Sequence, residues 1–184
     1  MIVTEFDRED PSLKVQLADL LELTWPDAYG GNGAREVDQL LQKDTVAIAA
    51  LVGDELIGFA TALPQYGQTG WKLRIMAVRD SHRKQRIGAR LMAFIEEEVA
   101  SRGGLVMYLG AADNYHQTSL SEEDLFVNPL QSLQEIENVN HHPYEFYQKQ
   151  GYQLVGVIPD ANGWQQPDIL MAKRLVKRPA DLQK

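Results

Sequence analysis

The 184 residues include no cysteine, are 24% charged and carry a formal net charge of −8. Without thiols there is no disulfide, no thiolate nucleophile and no Cys-based zinc or iron–sulfur site. An acidic balance argues against generic nucleic-acid binding, which needs broad cationic patches. The longest apolar run, VAIAALV at 46–52, is too short to span a bilayer, and MIVTEFDRED shows no basic segment followed by an apolar stretch. These features predict a soluble, cytoplasmic single domain over 1–184 with no secretory leader and no membrane contact.

In chain order, IVTEF reads as a first strand. A helix follows over 11–25, with Leu13, Leu17, Leu20, Leu21 and Leu23 near helical spacing and Pro11 suited to its first turn. PDAYGGNG at 26–33 reads as a loop by its Gly, Pro and Asn content, and AREVDQLLQ as a short helix. TVAIAALV, ELIGFATAL and WKLRIMAV read as three strands, the first two joined by a tight turn. A helix is expected from about Arg86 to Arg102, with Ile87, Leu91, Phe94, Ile95 and Val99 on one stripe and GG at 103–104 stopping it. LVMYLGA predicts an apolar strand buried on both faces. The polar segment 111–142 has a weak helical pattern near 132–138 and is the expected mobile or acceptor-facing region. PYEFYQKQ reads as a short helix closed by Gly151, and YQLVGVIP and PDILMAKRL as two last strands. The fold class is therefore α/β, a mixed sheet with helices on its faces.

One short stretch departs from the acidic average. Arg79, Arg83, Lys84, Arg86 and Arg90 face only Asp80, so residues 79–90 hold about +4 and the rest of the chain about −12. They lie between a strand and a helix N-terminus, where unpaired amides and the helix dipole attract anions and cations are misplaced by a few tenths of a kcal/mol each. Such a loop either faces water or holds a phosphate. It is neither a P-loop nor a G-x-G-x-x-G turn.

The run RKQRIGA after a strand resembles the acyl-CoA pyrophosphate signature of the GNAT superfamily of N-acetyltransferases, with Arg83 first, Gly88 last and Arg86 in place of a glycine. Such a replacement suits a backbone that is already helical there. HPYEFYQKQGYQLVGV at 142–157 resembles the superfamily's late helix-to-strand element. Over about residues 1–175, the segments TEFDR, LTWP, PQYGQTGW, ASRGG, YLG, HPYEFY and VIPDANGWQQPDILMAK are similar to the chromosomally encoded type of aminoglycoside 6′-N-acetyltransferase, an antibiotic-resistance family.

The resemblance implies the GNAT acyltransferase fold, a mostly antiparallel sheet flanked by helices. It also implies acetyl-CoA as cosubstrate, a small-molecule amine as acceptor, no metal and direct transfer in a ternary complex. An enzyme without cysteine cannot pass the acetyl group through a thioester of its own. By the same resemblance, a backbone N–H at Met76, at a bulge in the fourth strand, meets the thioester carbonyl; one such donor is typically worth ~2.7–4 kcal/mol. Met76, Ala77 and Val78 hold the pantetheine arm, and Arg83, Lys84, Gln85, Arg86, Ile87, Gly88 and Ala89 cradle the pyrophosphate. Tyr147 serves the leaving thiol; taken from the residues alone, it reads rather as a packing aromatic beside Phe146.

On the acceptor side, Trp25 and Tyr66 are aromatic walls or ordinary packing. Lys72 and Arg74 stand where the resembled enzymes carry an acid and a histidine. A cation about 4 Å from an ammonium costs ~1 kcal/mol in water and ~4 kcal/mol at an effective dielectric near 20. Acidity is then expected from Asp113, Glu122, Glu123, Asp124, Glu135 or Glu137. His82, His116, His141 and His142 lack metal spacing and read as structural or solvated. Trp164 falls where the family builds a homodimer interface. The rival readings are a GNAT enzyme for a less cationic or carboxylate-bearing amine, and a non-catalytic acyl-CoA-binding module.

Overall fold

A computed structural model describes residues 1–180; residues 181–184, inside the expected domain bounds, lie outside the described part. The described residues divide into two compact units, one formed by residues 1–107 with 175–180 and the other by 108–174. The fold is mixed α/β, with seven mostly antiparallel strands among the described residues.

In the first unit, β1 (Ile2–Glu5) leads into α1 (Pro11–Thr24). Asp10 caps this helix by accepting from the Ser12 and Leu13 amides at 2.8 and 3.2 Å, and Pro11 occupies the first turn. A cap of this kind contributes about 1 kcal/mol. Leu13, Leu17, Leu20 and Leu21 form the buried stripe, whereas Leu23 points to solvent and leaves the predicted pattern. PDAYGGNG is not wholly a loop: Pro26 starts a one-turn helix, α2 (Pro26–Tyr29), and α3 (Gly33–Leu40) follows.

β2 (Val46–Val52), β3 (Glu55–Tyr66) and β4 (Gly70–Val78) form an antiparallel meander beside β1. The turn after β3 is fixed by the Trp71 indole, which donates to the Gln68 carbonyl at 2.8 Å. β3 and β4 stay in register from Met76↔Ala60 to Ile75↔Thr61, then slip so that Leu73 faces Ala62 and Arg74 is left over. The irregularity thus sits two residues before Met76, where the bulge is expected. α4 (Ile87–Ser101) buries Ile87, Leu91, Met92, Ile95 and Val99, each worth ~2 kcal/mol relative to exposure. It seats closely on β3 because Gly58 has no side chain; a Cβ there would lie 3.1 Å from Leu91 Cδ1. The Leu105 and Val106 amides donate to the Thr69 carbonyl at 2.8 and 3.1 Å, which starts β5 (Val106–Ala112) next to the β3–β4 turn.

The second unit carries the rest of β5, α5 (Pro129–Gln134), α6 (Tyr144–Lys149), β6 (Gln153–Ile158) and β7 (Asp168–Arg174), with strand order β5-β7-β6. β5 is not buried on both faces: Met107, Leu109 and Ala111 are buried and alternate with more accessible residues, as a half-covered strand requires. Segment 113–142 is tied down by an isolated bridge between Thr118 and Asn138.

Candidate active site

The basic loop has three kinds of cation. Arg79 is consumed by the fold: its Nε donates to the Leu56 carbonyl at 2.6 Å and lies 3.9 Å from Glu55. Arg83 pairs with Asp80 at 2.8 Å on the surface. Lys84, Arg86 and Arg90 are exposed and have no ion-pair partner among the described residues.

The backbone beneath them is unusual. Lys84 and Arg86 both have φ of 61°, and Arg86, with ψ of 14°, is the N-cap of α4. The expectation of a right-handed helical backbone at Arg86 is therefore corrected: helix starts at Ile87, and Arg86 adopts the left-handed conformation that glycine tolerates best. An L-residue there costs roughly 1–2 kcal/mol. A left-handed residue followed directly by helix turns successive N–H groups to one side, the concavity that holds anions. Strained backbone, unpaired cations and a helix start converge on residues 84–88. This fits a diphosphate, because an anion would pair the unmatched cations and the helix-start amides and so offset the cost of the left-handed backbone.

β4 presents Lys72, Arg74, Met76 and Val78 as its less buried set, alternating with buried Trp71, Leu73, Ile75 and Ala77. Lys72 has no ion-pair partner among the described residues. Arg74 does: its Nη2 donates to Glu36 Oε1 at 2.7 Å and to Gln39 Oε1 at 3.3 Å, and its Nη1 to the Gln39 carbonyl at 3.4 Å. Its charge is thus neutralised within the fold. Trp25 is half-buried and packs edge-on against Tyr29, ring centroids 5.9 Å apart. Burial first, then the Glu36 carboxylate, push the Tyr29 phenol up, with Arg74 opposing. Tyr66 is 70% exposed at the end of β3 and lies over Gly70.

In the second unit, Tyr147 sits on α6 between Phe146 and Tyr152, ring centroids 5.2 and 6.0 Å away and both edge-on. The residue is half-buried, but burial of its phenol pushes the pKa up to about 12. It is both a packing aromatic and a hydroxyl that stays protonated.

Asp113 requires a correction as a substrate contact. It is fully buried and accepts four hydrogen bonds, from the Gln117 and Thr118 amides (2.6 and 2.9 Å) and the Thr118 and Ser121 hydroxyls (both 2.8 Å). Burial alone would push its carboxyl up, but these donors outweigh it and hold it below the usual carboxylate range. Asp113 organises the loop after β5.

His142 shares that interior. Its Nδ1 accepts from the Tyr144 amide at 3.2 Å, which leaves Nε2 to donate to the Ala112 carbonyl at 3.3 Å. Burial pushes this imidazole down, against the Ala112 carbonyl and Asp113. The other expected acids, Glu122, Glu123, Asp124, Glu135 and Glu137, are exposed, and Glu123, Glu135 and Glu137 line a pocket of about 420 Å³ with Ser119, Asn128, Gln131 and Ser132. Among the described residues no cluster of His, Asp and Glu could hold a metal ion.

Sequence reasoning missed Tyr29 and Glu36. Tyr29 is four residues from Trp25 and becomes legible once 26–29 is read as helix; nothing in the spacing links Glu36 to Arg74.

Residues 15–125 match the acetyltransferase (GNAT) family, and the chain belongs to it. The match ends before Tyr147. Among solved structures, an aminoglycoside 6′-N-acetyltransferase complexed with coenzyme A is 52% identical, covering 97% of this chain and 99% of that one, with a TM-score of 0.95. The aminoglycoside 6′-N-acetyltransferase from Enterococcus faecium is also 52% identical over 97% and 99%, with a TM-score of 0.93. An aminoglycoside 6′-acetyltransferase of type Ii is 47% identical over 97% and 100%, with a TM-score of 0.79. No curated protein matches the chain. No helix among the described residues is long and apolar enough to cross a membrane.

Proposed function

We propose that this GNAT enzyme transfers the acetyl group of acetyl-CoA directly to the 6′-amine of an aminoglycoside, with residues 1–184 working as one catalytic domain. The observation that carries the reading is the 52% identity, over 97% of the chain, to a coenzyme-A-bound aminoglycoside 6′-N-acetyltransferase. When bound, acetyl-CoA supplies an activated acetyl thioester. Lys84, Arg86 and the amides of 86–88 bind its diphosphate, with Arg83, Gln85 and Ala89 at the rim. Met76, Ala77 and Val78 hold the pantetheine arm by backbone bonds, and the Met76 N–H meets the charge that grows on the carbonyl oxygen.

Tyr147 serves the leaving sulfur. Full proton transfer from a phenol near 12 to a thiolate near 8.5 is uphill by about 5 kcal/mol, so Tyr147 donates a hydrogen bond and keeps its proton. Trp25 and Tyr66 wall the acceptor. The exposed carboxylates Glu123, Glu135 and Glu137 give a polycationic sugar its counter-charge. Trp164, 88% exposed between β6 and β7, anchors a homodimer; sedimentation should show a dimer that Trp164→Ala splits. The enzyme acts in the cytoplasm, and a cell expressing it gains resistance to kanamycin-type sugars.

Thiol release from acetyl-CoA tests this. It is expected with sugars bearing a 6′-amine, and none with any of them, despite coenzyme A binding, overturns the acceptor. Lys72 supports a second reading, an acceptor amine with a carboxylate, because among the described residues its ammonium has no ion-pair partner, whereas Arg74 is already neutralised. Under the first reading, Lys72→Glu raises or preserves turnover of cationic sugars; under the second, it abolishes turnover of the carboxylate-bearing amine.

A further inference from the structure

The segment between α1 and α3 is held at two points. At its far end, the Gly33 amide donates to Glu22 Oε1 at 2.9 Å, and a Cβ on Gly33 would strike both the Ala18 carbonyl and the Glu22 side chain. One turn later, Glu36 takes the 2.7 Å bond from Arg74, the residue left over where β4 slips against β3. The alternation of buried and less buried residues along β4 runs unbroken through the slip, so Arg74 belongs to the same set as Lys72 and Met76. Between α1 and Gly33 lies the Trp25–Tyr29 pair, tied to the chain by bonds from the Tyr29 amide to the Trp25 carbonyl and from the Asn32 amide to the Tyr29 carbonyl at 2.9 and 2.8 Å. The Arg74 and Glu36 side chains are only 32% and 15% exposed, so the pair is screened less than a surface bridge.

We infer that Arg74 is a positioning residue of the acceptor site: through Glu36 it fixes the start of α3, and with it the Trp25–Tyr29 wall, to the strand that carries Met76. The basic residue that looked like an obstacle to a cationic acceptor is instead a strut, and Lys72 is left as the free charge on that strand. The inference rests on the acceptor assignment made above.

The test compares Arg74→Gln, Glu36→Gln, their combination and Arg74→Lys, with separate KM values for the sugar and for acetyl-CoA. Each Gln variant should raise the sugar KM about tenfold and leave the acetyl-CoA KM within about twofold, since misplacing a binding wall penalises only what it touches. The double variant should be no worse than either single one, because both remove one interaction. Arg74→Lys, which can keep the ion pair, should recover most of the loss. Equal rises in both KM values, an unchanged sugar KM in a variant that melts normally, or additive effects in the double variant each overturn the strut. Should Arg74→Gln fail to fold, Glu36→Gln carries the same reading. Wild-type protein that acetylates no sugar overturns the acceptor assignment and the strut with it; an active wild type with an unmoved sugar KM overturns the strut alone.

Discussion

The loop 79–90 and the interior around Asp113 treat polar groups in opposite ways. In the loop, three cations stand in solvent without ion-pair partners among the described residues, and two residues other than glycine sit at φ of 61°. Around Asp113, a fully buried carboxylate has four donors, and His142 has both ring nitrogens engaged. A buried polar group left unsatisfied costs about 1–3 kcal/mol, so the interior has no latitude. The loop can leave its cations unpaired because water solvates them. On the function proposed above, unsatisfied charge marks the cofactor site and satisfied charge marks the scaffold.

The sharpest way to break this comparison is Asp113→Ala. It strands four donors and should cost about 3 kcal/mol or more, lowering Tm by roughly 6–12 °C in a thermal melt. An unchanged Tm would mean the interior is not the scaffold described. Next in size, Tyr147→Phe should lower kcat about 10- to 100-fold, the value of one hydrogen bond to a charged atom, with coenzyme A affinity unchanged by calorimetry.

The pH dependence of stability is a smaller effect with a definite sign. His142 and Asp113 both have folded pKa values below their usual 6.5 and 3.8. In each case the unfolded chain takes up the proton first, so stability is full above the unfolded pKa and is lost as pH falls through the folded one. Melting from pH 8 downward should therefore show Tm falling first below about 6.5 through His142, and again in the acid range through Asp113. His142→Gln should flatten the first fall and leave the second.

Smallest is Arg86→Gly, which removes left-handed strain and should stabilise by up to about 1 kcal/mol while weakening coenzyme A binding. Opposite movements of Tm and affinity are the expected outcome; a fall in both would place Arg86 with the scaffold.

Much of this was legible in the sequence because it is local. Charge density, the strand–loop–helix order and the apolar spacings of α1 and α4 lie within a few residues of one another. The segment RKQRIGA singled out the basic loop proposed to hold the diphosphate without any knowledge of its backbone angles. Errors arose where burial or backbone conformation was decisive. Asp113 read as an acceptor contact because burial and four donors from 117–121 are invisible in a list of acids. β5 read as doubly buried because apolar composition does not say which face is covered. Pro26 read as a loop residue, although proline also opens a helix.

What the sequence determined by itself was the family, the concentration of basic residues at 79–90 and the absence of any cysteine nucleophile. Which charges are free was decided only by the tertiary structure. Arg74 and Lys72 are two residues apart and indistinguishable in sequence, yet Glu36, 38 residues away in the chain, neutralises one and not the other. Ion pairing depends on distances of a few ångströms, and only the folded chain sets those distances across so long a separation.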